Sequence, residues 1–198
     1  MEGSTAMRVL RLAVGCVLAG LVLAAQAGEV RGRVPWKATA ASPIVVWIEG
    51  MKVDVAIIKQ PVIVSQKNIQ FNPPFTVVSR GQTVQFPNDD TVAHSVYSVS
   101  PAKPFQLGIF EEGARRSVIA SRAGVVDVQC ALHPQMAARL LVVDSAQYAV
   151  VQANGTFTIP NVPPGRQRIK AWHAEGAIAE MVVDVAQDGA TMVSFPEK

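Results

Sequence analysis

Cysteine is nearly absent from this chain: its 198 residues contain two, Cys16 and Cys130. A disulfide framework is therefore excluded. Charge is sparse as well, with 17% charged residues and 18 Lys and Arg against 15 Asp and Glu, so no strong field favours nucleic acid or acidic lipid. From Gly28 onward there is no long segment of helical periodicity, which argues against a helical or mixed fold. What the chain does have is apolar content, at 49% enough to build a real core.

The N-terminus reads as a secretory signal over residues 1–27. Arg8 and Arg11 give a positive start, residues 12–25 an apolar stretch, and Ala25-Gln26-Ala27 a small-residue cleavage site before Gly28. The apolar run is shorter than the roughly 20 residues that span a bilayer, so an exported protein without a membrane span is expected after cleavage. Cys16 follows Ala13-Val14-Gly15, a loose lipoprotein pattern, but acylation there would leave almost no apolar segment after Arg11. Cys16 is read as part of the signal, which leaves Cys130 as a lone thiol in an oxidising compartment.

Val, Ile and Thr with Pro and Gly punctuation predict an all-β protein, with strands at 43–49, 53–58, 62–65, 75–78, 82–86, 95–99, 116–120, 125–130 and 138–143. That spacing suits a β-sandwich. Beyond Asp144 the pattern resumes at 148–152, 156–159, 168–173 and 180–185, with Asn154-Gly155 as a strong hairpin turn. The stretch from Asn154 through Thr156-Phe157-Thr158-Ile159 to Pro163-Pro164-Gly165 resembles the carboxypeptidase regulatory-like, transthyretin-like β-sandwich. In that family an apolar strand precedes this motif closely, and Pro43-Ile44-Val45-Val46-Trp47-Ile48-Glu49 resembles it, roughly a hundred residues upstream. The preferred division is a sandwich made of residues 28–55 and 145–198, into which a domain of residues 56–144 is inserted. The alternative is that 28–65 adds strands to the central domain and a small C-terminal sandwich follows.

The informative segment is Cys130-Ala131-Leu132-His133-Pro134-Gln135-Met136, three metal-ligand types spaced three residues apart at the end of a predicted strand. Thiolate, imidazole and thioether together favour copper, and a His₂Cys set with a weak axial Met defines the blue-copper site. His94, on the loop after the strand at 82–86, is the natural second imidazole. The metal candidates are thus His94, Cys130, His133 and Met136, holding one copper ion. Binding needs the thiolate and free imidazole nitrogens, so acid should weaken it, and Pro134 stiffens the ligand loop.

On these residues the chain resembles a cupredoxin. Gly81-Gln82-Thr83-Val84-Gln85-Phe86-Pro87-Asn88 is similar to the family's Gly-x-x-Val-x-Phe-x-Asn strand, and Ala123-Gly124-Val125 to the turn opening the copper-cysteine strand. The Cys-x-x-His-x-x-Met spacing is similar to that of amicyanin and its short-loop relatives. The resemblance implies a cupredoxin Greek-key β-sandwich, type 1 copper, electron transfer with a redox partner protein, His133 as the electron gateway, and a bacterial periplasmic setting of the methylamine-utilisation kind. One departure is Ser95, where many cupredoxins place an Asn that ties the ligand loops together; a shorter hydroxyl predicts a looser site or shifted potential.

Other candidates read as structural. His173 has no ligand cluster around it in sequence, Glu111-Glu112 before Gly113 reads as a solvated turn, and Lys103, Arg115 and Arg116 as ordinary surface charge, with a docking surface for an acidic partner as the alternative. An oxidase or reductase would need further histidines for a second copper centre, and only His173 is left over, so no enzyme is expected. The rival to electron transfer is a copper carrier, chaperone or sensor; a metal-free interaction module is the third reading.

Overall fold

The computed structural model describes residues 28–51, 60–176 and 178–196. The signal segment expected at 1–27 and the strand expected at 53–58 lie outside them. Every regular element described is a strand, and among these residues no helix is long and apolar enough to cross a membrane.

Two strands come first, β1 (Gly28–Arg33) and β2 (Ile44–Ile48). Ten follow: β3 (Val62–Ile63), β4 (Ser65–Lys67), β5 (Gln70–Asn72), β6 (Phe75–Ser79), β7 (Thr83–Pro87), β8 (His94–Ser98), β9 (Phe105–Phe110), β10 (Arg115–Ile119), β11 (Gly124–Cys130) and β12 (Ala137–Val143). The last five are β13 (Tyr148–Val150), β14 (Thr156–Val162), β15 (Gly165–His173), β16 (Ile178–Val185) and β17 (Ala190–Ser194).

The middle strands form sheets ordered β10-β7-β3 and β6-β12-β11-β8-β9, with the β4-β5 hairpin beside them. Their alternating side chains meet in one core, in which Val84 and Phe86 of β7 pack with Val96, Val126, Val128, Leu140 and Val142. Strands from the two ends of the chain pair with each other, in sheets ordered β14-β1-β17 and β13-β2-β15-β16. They close a second core around Val30, Ile44, Val46, Ile48, Phe157, Ile159 and Ile169.

β2 is buried at every position, because both of its faces are covered. Ile44, Val46 and Ile48 face the second core, whereas Val45 and Trp47 join Val77, Leu141, Val143 and Trp172 in a third cluster. β12 divides in the same way, with Leu140 and Val142 in the first core and Leu141 and Val143 in the third. The sheet carrying β12 therefore lies against the sheet carrying β2 across an apolar layer, where Phe75 and Trp172 stack with centroids 5.9 Å apart.

Four strands carry weak sequence signals and were not among those expected: β1, β5, β9 and β17. β1 is Gly-rich for a reason of contact. A Cβ on Gly32 would lie 2.6 Å from the Phe157 ring and from the Val193 carbonyl and side chain. Gly32→Ala must push β14 and β17 off β1, and a loss of ~1–3 kcal/mol is expected. A urea unfolding midpoint unchanged by this substitution would mean that β1 is not clamped between those strands.

Candidate metal centre

His94 opens β8 and Cys130 closes β11, and these strands are antiparallel neighbours in register Cys130 with Val96. The start of one and the end of the other therefore meet at one end of the sheet. The connection from β11 to β12 is short, so His133 and Met136 stay at that same end. A backbone bond from the Met136 N–H to the His133 carbonyl, 2.9 Å, tightens the loop.

Three donor atoms converge. Cys130 Sγ lies 3.8 Å from His94 Nδ1 and 3.8 Å from His133 Nδ1, and the two Nδ1 atoms are 3.2 Å apart. The imidazoles meet edge-on at 62°. His94 and Cys130 are buried, and His133 is half-buried. Met136 is buried in the same core as Cys130.

The donor set fits a transition metal. Imidazole nitrogens bind such an ion at ~2.0–2.1 Å and thiolates at ~2.3 Å, so donors sharing one ion sit ~3–4 Å apart. The observed separations of 3.2 and 3.8 Å match that range.

Backbone groups tie the ligand loops together. The Ser95 N–H donates to Cys130 Sγ at 3.4 Å, and the Ala131 N–H donates to the Ser95 carbonyl at 2.8 Å. The link that an Asn side chain makes in many cupredoxin-like sequences is thus supplied in part here by the main chain of Ser95.

The loop before His94 is organised by buried Asn88, whose amide donates to the carbonyls of Val92, 2.9 Å, and Phe110, 3.1 Å. Its Oδ1 accepts the Asp90 N–H at 3.0 Å. Asp90 in turn faces the far side of His94, with Oδ2 3.2 Å from Nε2. The Ile69 N–H, donating to the same oxygen at 2.7 Å, is the main reason the Asp90 carboxyl titrates below its ordinary value; His94 and the Thr91 N–H act in the same direction. Sequence reading gave Asp90 no role. The available signal was a carboxylate four residues before a candidate ligand histidine on a loop.

The remaining candidates fall elsewhere. His173 is on β15, with Nε2 3.2 Å from Ser42 Oγ and Nδ1 accepting the Glu175 N–H at 3.4 Å, which accounts for both ring nitrogens. Glu111 and Glu112 are exposed beside the turn at Gly113. Arg116, on β10, donates to the carbonyls of Leu107 and Ile109 and covers the Phe110 ring, so its side chain is tied to β9 of the facing sheet.

No protein-family model matches the chain, and no curated protein does. Among solved structures it is similar to a purple cupredoxin from Nitrosopumilus maritimus, 22% identical over 41% of this chain and 98% of that one, with a TM-score of 0.38. It is also similar to a copper-containing nitrite reductase from Thermus scotoductus SA-01, 24% identical over 42% of this chain and 22% of that one, TM-score 0.40. A Cu(I) form of an amicyanin variant is 20% identical over 49% of this chain and 97% of that one, TM-score 0.40.

Proposed function

We propose that this chain is an exported, single-copper protein of the cupredoxin type, working as an electron carrier with a redox partner protein in the periplasm. The observation that carries the reading is the convergence of one thiol and two imidazole nitrogens at 3.2–3.8 Å. Thiolate with two imidazoles is the donor set that selects copper for electron transfer, with buried Met136 as the proposed weak fourth ligand. Bound there, copper would supply a one-electron couple between Cu(I) and Cu(II).

The residues supply the rest. Strand ends hold His94 and Cys130, and a short loop closed by the Met136 to His133 bond holds His133. Burial of His94, Cys130 and Met136 keeps water off three proposed ligands, and half-exposed His133 is the contact through which a partner would exchange electrons. No second copper centre is proposed, since His173 is engaged with Ser42 and Glu175. The same reading takes 56–144 as the copper domain and 28–55 with 145–198 as a transthyretin-like sandwich around it, supported by the pairing of β1 with β14 and β17.

The test is to add Cu(II) to the full chain and follow visible absorption and electron paramagnetic resonance. One equivalent producing an intense visible band with narrow copper hyperfine splitting is expected. Binding of Cu(I) alone, released rapidly to a chelator, would favour a copper carrier, and no binding of either ion would overturn the metal reading.

A further inference from the structure

The β4-β5 hairpin turns through Asn68 and Ile69, both at φ 56°. Two consecutive residues in the left-handed region make the turn that asks for Asn-Gly, and here a β-branched isoleucine stands in the glycine position. Such a conformation is strained for a β-branched residue and persists only where surroundings impose it. What holds the tip is Asp90, whose Oδ2 accepts the Ile69 N–H at 2.7 Å. The same oxygen lies 3.2 Å from His94 Nε2, and Oδ1 accepts the Thr91 N–H at 3.0 Å.

An ionised carboxylate can only accept, so it fixes the proton on the histidine nitrogen it meets. We infer that Asp90 is a positioning residue for His94, holding its imidazole in the Nε2–H form so that Nδ1 turns an unshared pair toward Cys130 Sγ and His133 Nδ1. The hairpin tip and the buried imidazole share one anchor, so the turn at Asn68-Ile69 serves to place a carboxylate as well as to reverse the chain. The inference rests on the metal-centre reading for its purpose, but not for its geometry.

A purely structural Asp90 would affect folding stability and nothing else, so two variants are compared with the wild-type full chain. Asp90→Ala removes the partner, whereas Asp90→Asn keeps an acceptor oxygen and removes the charge. In the metal-free protein, nitrogen-15 resonances of His94 are expected to report a single Nε2–H form in wild type and Asp90→Asn, and a mixture in Asp90→Ala.

With copper, Asp90→Ala is expected to lose ~10–100-fold in Cu(II) affinity, the usual consequence of removing an outer partner of a ligand. Asp90→Asn is expected to weaken Cu(II) relative to Cu(I) by about tenfold, a rise of ~59 mV in reduction potential for one electron. An unchanged tautomer in Asp90→Ala, or unaltered copper affinities and potential in both variants beside a lowered melting temperature, overturns the inference. A wild-type chain that binds no copper yet keeps His94 in the Asp90-dependent form removes the metal reading and leaves the assignment of Asp90 standing.

Discussion

Cys130→Ser is expected to abolish the visible absorption of the copper-loaded chain and to lower copper affinity by more than the ~10–100-fold that accompanies loss of an outer partner. The sulfur is what makes the set selective: a thiol gives up its proton to a bound metal and becomes a soft thiolate ligand, whereas a serine hydroxyl does neither. The fold should survive. Cys130 is buried among Val96, Val128 and Met136, and its side chain accepts one backbone hydrogen bond, from Ser95, which a hydroxyl oxygen can also accept. Far-ultraviolet circular dichroism of the variant should therefore overlay that of wild type. Copper absorption retained in a folded Cys130→Ser chain would show that the sulfur is not a ligand, however close the imidazoles lie.

The donors were legible because their information is local. Cys130, His133 and Met136 are spaced along a few residues after a run of alternating apolar side chains, and His94 follows a strand with its own motif. Strand pairing then brings the two segments to one end of the sheet. Asp90 could not be read in that way, because which oxygen faces Nε2 depends on how Asn88 folds the loop and where the Ile69 N–H lies. The missed strands have a common cause: their side chains carry little of the pattern. β17 is nowhere fully buried, β9 contains Gly108 at φ 70°, and β1 owes its place to glycine contact rather than to bulk. The apolar run at Ile44-Val45-Val46-Trp47-Ile48 announced a strand, but its second partner, the sheet carrying β12, was invisible in a sequence that places the two nearly a hundred residues apart.

That second partner sets the other large effect. Trp172→Ala is expected to cost ~3–5 kcal/mol, as for other buried tryptophans truncated to alanine, and to split unfolding into two transitions. Trp172 is 4% exposed, stacks on Phe75 with an interplanar angle of 4°, and joins Val45, Trp47, Val77, Leu141 and Val143. The layer contains residues of both sheets, so the free energy it contributes is also what makes one core unfold with the other. Trp47 would be a poorer probe, since its buried Nε1 has no hydrogen-bond partner among the described residues and deleting it would remove a cost along with the contact. Ile169→Ala, in the second core alone, serves as the control: it should lower stability without uncoupling the two parts. Urea unfolding followed at once by copper absorption and by far-ultraviolet circular dichroism distinguishes these cases. Coincident curves in wild type and Ile169→Ala, and separated curves in Trp172→Ala, are expected. Curves that remain coincident in Trp172→Ala, with a loss below ~1 kcal/mol, would place the coupling outside this layer, and the end of the sandwich bearing His133 would no longer owe its fixed orientation to the stacked pair.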